Sequence, residues 1–94
     1  MLKLLVVDGR SMEPALSAGT FVLVRHLFWR LPRINDIVAF RCQTRGLLIK
    51  RVISAEPELG LYLGGDNIAE SITSEQIGWV KPADIIGKVL WCSR

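Results

Sequence analysis

The chain has 94 residues, half of them hydrophobic, with twelve cationic and nine anionic side chains for a net charge of +3. That composition excludes a disordered tail and leaves room for one modest core, so residues 1–94 are expected to form a single domain. No apolar run approaches the roughly 18 residues of a bilayer-spanning helix. The opening MLKLLVVDGR is too short in apolar length for a secretory signal, and no small-residue cleavage site follows it. A cytoplasmic location is the expectation.

The apolar residues come in short runs: LLVV at 4–7, FVLV at 21–24, IVAF at 37–40, LLI at 47–49 and IIGKVLW at 85–91. Turn-forming stretches separate them, namely GRSMEPALSAG at 9–19, LPRIND at 31–36, QTRG at 43–46, EPELG at 56–60 and GGDN at 64–67. This rhythm predicts strands near 2–8, 20–26, 36–42, 47–55, 59–64, 78–81 and 85–92. The fold class is therefore mainly β, a small coiled sheet or partly open barrel with little helix. Only SAEPEL and ESITSEQI could hold a helical turn. Cys42 and Cys92 lack a CxxC spacing and read as free thiols. His26, the only histidine, sits in the basic-aromatic stretch RHLFWRLPR at 25–33, which reads as a loop.

Three stretches carry chemistry. GRSMEPALSAG places Ser11 in a segment with neither helical nor strand period, where the bland reading is a turn. LLIKRVIS at 47–54 alternates so that Leu48, Lys50 and Val52 share one face and Ile49, Arg51 and Ile53 the other. Both faces are apolar, so the strand is expected to be covered on both sides with one cation on each. The ordinary outcome is that both cations extend their heads into water. The alternative is a buried Lys50, which loses its preference for the charged form and can act as a base. Arg51 cannot do so, because a guanidinium stays protonated. A serine hydroxyl needs a base to attack a carbonyl. Lowering a lysine from about 10.4 to near 8 costs about 3 kcal/mol, so such burial implies a purpose. The third stretch is GGDNIAESITSEQ, which opens as a Gly-Asp-Asn turn and continues through Ser71 and Ser74.

Taken in order, Ser-Met-x-Pro, Lys-Arg leaving an apolar strand, and Gly-Asp-Asn followed by a spaced serine resemble the type I signal peptidase family of serine–lysine proteases. The likeness runs from about Gly9 to Leu90. It is closest to the short members that mature nickel-type superoxide dismutase, because only 39 positions separate Ser11 from Lys50. The resemblance implies a serine endopeptidase with Ser11 as nucleophile and Lys50 as general base. Met12 would line the site and Pro14 would set the turn after it. Asp66 and Asn67 would shape the loop supporting the lysine, and Ser71 would orient it. The implied partner is a precursor protein trimmed at its N-terminus, probed as an extended peptide. No cofactor, metal or nucleic acid is implied. Thr73-Ser74-Glu75 stands where many relatives show Asp-Ser-Arg, and Gly9 where some carry a hydroxyl for the oxyanion hole. Two rival readings remain: a self-cleaving domain of the LexA type, and a non-catalytic module binding nucleic acid or a membrane surface through RHLFWRLPR.

Overall fold

A computed structural model describes residues 2–26, 31–67 and 74–93. Its strands are β1 (Leu2–Val6), β2 (Phe21–Arg25), β3 (Ile37–Cys42), β4 (Gly46–Glu56), β5 (Gly60–Gly64), β6 (Trp79–Val80) and β7 (Ile85–Cys92). All seven lie in one antiparallel sheet ordered β1-β2-β7-β3-β4-β5-β6. The only helical pieces among the described residues are one α turn, α1 (Ser74–Ile77), and a 3-10 turn over Pro82–Asp84. Of the two candidate helical stretches, ESITSEQI supplies α1 with its last four residues. SAEPEL instead extends β4 and turns into β5. The mainly β, coiled-sheet expectation holds, with strand ends shifted by a residue or two.

Two tight connections set the register of the central hairpins. β3 and β4 close at Cys42↔Gly46, and β4 and β5 at Glu56↔Gly60. Each leaves a three-residue loop that ends on a glycine at positive φ, 78° at Gly46 and 100° at Gly60. Such a residue is reached at little cost only without a Cβ. Fixed register matters here because a one-residue slip would turn Lys50 from one face of the sheet to the other.

The sheet coils around two apolar clusters that meet across β3. Val38 and Phe40 face a cluster with Val52, Leu61, Leu63, Val80 and Ile85. Ala39, between them, faces the other, with Val7, Met12, Leu16, Val22 and Val24. Strand alternation explains the split, and all three of these β3 residues are wholly buried. β4 divides likewise: Leu48 packs toward the first cluster and Ile49 toward the second. The second face of β4 is covered at Ile49 but open at Ile53, which is half exposed. Bulges between Leu23 and Val24, Ala39 and Phe40, and Val52 and Ser54 bend the sheet as it coils.

At Gly60 a Cβ would run into the Val80 carbonyl, in addition to facing an unfavourable φ. Gly60→Ala should therefore lower stability by more than about 2 kcal/mol. The check is a urea titration whose midpoint falls while its slope is unchanged.

Candidate active site

Ser11 lies in a turn that runs from the end of β1 to β2. The segment is tied to itself by Glu13 N–H donating to the Arg10 carbonyl at 3.2 Å and Leu16 N–H to the Met12 carbonyl at 2.9 Å. Val7 closes the base of the excursion, donating to the Thr20 carbonyl and accepting from Gly19. Met12 and Leu16 anchor it from below, at 1% and 3% exposure. Pro14 sits on the exposed side of this turn, after a cis peptide bond with Glu13. Met12 is thus a buried foot that leaves Ser11 partly accessible above it.

Lys50 is 2% exposed. Its register partner is Val38, and Val52 follows on the same face, so its stem is embedded in the first apolar cluster. Desolvation drives its amine below the ordinary lysine range, and the charge of Arg45 adds to the shift. The water-seeking alternative for Lys50 does not occur. None of the described residues buries a side-chain nitrogen or oxygen without a partner.

Arg51 and the Gly-Asp-Asn loop join these two regions. Arg51 forks onto Asp66 through Nε and Nη2, both at 2.8 Å, and its Nη1 donates to the Asn35 carbonyl at 2.8 Å. The carboxylate holds the guanidinium even more firmly protonated than usual. One residue on, Asn67 donates its backbone N–H to the Ser11 carbonyl at 2.7 Å and its side-chain amide to the Arg10 carbonyl at 3.0 Å. The Gly-Asp-Asn loop therefore bridges the strand carrying Lys50 to the turn carrying Ser11. Ser71 lies outside the described residues, as do Leu27–Arg30 of the basic-aromatic stretch. Ser74 opens α1, with its hydroxyl near Gly64.

Ser11 and Met12 line a cleft of about 120 Å³ together with Leu5–Asp8 from the end of β1 and Leu47–Ile49 from β4. The residue after Ile49 is Lys50. Both walls carry free strand edges. β1 is the outer strand of the sheet. β4 pairs with β5 only from Arg51 onward, so among the described residues Gly46–Lys50 has β3 on one side alone. The wall residues Leu5, Leu47 and Ile49 and the brace from Arg51 to Asp66 do not emerge from motif reading. Their signal is the register itself, which sets Arg51 opposite Gly64, two residues before Asp66.

Among the described residues no three His, Cys, Asp or Glu side chains gather as metal ligands, and no helix is long and apolar enough to cross a membrane. The family model described as signal peptidase, peptidase S26, matches residues 1–59. That span includes both the Ser11 turn and the Lys50 strand. No curated protein matches the chain.

Two measurements check this construction. Asp66→Asn should cost about 1.5–3 kcal/mol, the range for a hydrogen bond to a charged group, and should speed amide exchange across residues 10–13. Lys50 is depressed in the folded state, so the unfolded chain binds the proton more tightly. Stability should rise with pH between that lowered value and the ordinary 10.5, and be lost as pH falls through the window. Lys50→Met should remove that slope in denaturation curves recorded across the same range.

Proposed function

The chain belongs to the signal peptidase family, peptidase S26, and on that premise we propose that it is a serine endopeptidase working through a Ser11–Lys50 dyad. The observation that carries this reading is a buried lysine of lowered pKa, one residue beyond the β4 segment Leu47–Ile49 that walls the cleft at Ser11.

In the proposed mechanism the neutral amine of Lys50 accepts the hydroxyl proton of Ser11 as its oxygen attacks a peptide carbonyl. The Ser11 backbone N–H donates to the developing oxyanion. The protonated lysine then hands its proton to the departing amine, which leaves an acyl-enzyme. Lys50, neutral again, activates the water that releases the acyl group. Burial suits the lysine to both halves of this cycle, because a base functions best when its pKa lies near the working pH. Asp66, Asn67 and Pro14 act on the dyad through the positions of Arg51 and the Ser11 turn. Ser71 is assigned the role of orienting the lysine, by resemblance.

The substrate enters as an extended strand between the free edges of β1 and Gly46–Lys50, pairing by main-chain hydrogen bonds. Leu5, Met12, Leu48 and Ile49 make the cleft apolar, so small or apolar side chains fit beside the cleaved bond. The proposed substrate is a precursor with an N-terminal leader, specifically that of nickel superoxide dismutase. The enzyme acts as one domain over 1–94 in the cytoplasm and uses no metal or cofactor of its own.

The test is to mix that precursor with wild-type protein and read the new N-terminus by mass spectrometry. Ser11→Ala and Lys50→Met should each reduce cleavage by about 10⁴-fold or more, while Arg51→Lys leaves partial turnover. The wild-type rate should climb as pH rises through a value below 10.5, because the neutral amine is the active form. Full turnover in Lys50→Met would overturn the dyad.

A further inference from the structure

The cleft at Ser11 does not stop at Leu5 and Leu47. The same two residues line an adjoining groove of about 450 Å³, whose other walls include Lys3, Arg41, Asp84 and Ile86. The two spaces adjoin at Leu5 and Leu47, and together they mark a channel line between β1 and the first half of β4.

The register fixes what this channel presents at each step. Lys3, Leu5 and Val7 alternate onto one face of the β1 line. On the opposite wall Ala39 pairs with Ile49 and Arg41 with Leu47, and these residues share the matching face. Four successive antiparallel pairings link β1 through β2, β7 and β3 to β4. β1 and β4 therefore run in the same direction, both toward the Ser11 end. A strand advances about 3.3 Å per residue, with alternate side chains on one face. A peptide laid between the two edges thus turns every second side chain toward this face. Beginning at the cleaved bond, those positions meet Val7 with Ile49, then Leu5 with Leu47 and with Arg41 beside it on β3, then Lys3, which lines the same two spaces as Arg41.

The acyl half of the substrate is assigned to this channel. It has to stay in place through both chemical steps, whereas the amine half must leave so that water can reach the acyl-enzyme. The far end of the channel carries two cations against one carboxylate, Lys3 and Arg41 against Asp84. Neither cation is engaged in an ion pair among the described residues. Both also face the neighbouring space lined by His26, Ile85 and Ile86, where no carboxylate joins them.

We propose that Lys3 and Arg41 form a specificity subsite that takes an acidic side chain at the fifth residue before the cleaved bond. The inference rests on the protease reading above and adds a charge requirement to its apolar cleft.

The test uses peptides with small apolar residues at the first and third positions before the bond, differing only in Glu, Gln or Lys at the fifth. Wild-type kcat/KM should favour Glu over Lys by about tenfold, the ratio that about 1.4 kcal/mol corresponds to. High salt should shrink the ratio, because the cations are exposed. Arg41→Glu should reverse the order of the Glu and Lys peptides, and Lys3→Glu should do so independently should the first variant fold poorly. Moving the Glu to the fourth or sixth position should abolish the preference, because those side chains point away from the channel floor. Equal cleavage of the Glu and Lys peptides by wild type would overturn the subsite and leave the protease reading standing. Absence of any cleavage that Ser11→Ala removes would overturn both.

Discussion

The forked ion pair between Arg51 and Asp66 is the interaction on which the site depends. It is partly buried, with both nitrogen–oxygen distances at 2.8 Å, and this planar two-point geometry is the form in which such pairs resist rotation. Arg51 is the neighbour of Lys50, and Asp66 is the neighbour of Asn67. Through Asn67 the same loop grips the carbonyls of Arg10 and Ser11. Three segments distant in sequence are thereby held to one another by four hydrogen bonds, and a fifth ties Arg51 to a fourth segment at Asn35. Arg51 and Lys50 divide the labour by face. One cation is paired and keeps its charge, and the other is desolvated and tends to lose it.

That division has a structural source. The β4 strand runs between two apolar clusters, so alternation alone sends Lys50 into one and Arg51 toward the rim of the other. Burying an ammonium is costly in a domain this small. The cost is tolerable where Val38, Val52 and the other aliphatic residues of the first cluster have their own favourable burial to offset it. The structure thus holds a strained electrostatic state by means of an otherwise ordinary core.

Much of this was legible in the residues. Turn chemistry at Gly46 and Gly60 marks both hairpins, and the period-two pattern of 47–54 places Lys50 and Arg51 on opposite faces. The ambiguity lay in which cation stays dry. Both faces look apolar in sequence, and only the sheet order shows that Ile53 ends up half exposed while Val52 is sealed. The partner of Asp66 was equally hidden. The guanidinium that holds the Gly-Asp-Asn loop comes from 15 residues upstream. Pairings of this kind are set by register across strands, which one-dimensional spacing does not encode. The roles of Ser71 and of Leu27–Arg30 fall on residues the structure does not describe.

The free edge of β1 connects the fold to the chemistry. An uncapped edge with Leu2, Leu4 and Val6 more than half exposed is ordinarily an invitation to aggregate. Small β proteins usually hide such edges by closing the barrel. Here closure would require β1 to pair with Gly46–Lys50, and that pairing would fill the cleft in which Ser11 stands. β1 and Leu47–Ile49 line the same cleft and do not pair with each other. A five-residue edge carrying Lys3 is short and charged enough to limit unwanted pairing. On the proposed reading the position is filled in turn by each substrate peptide, so that the barrel is completed only during turnover. The opening in the sheet and the exposure of the serine are then consequences of one arrangement.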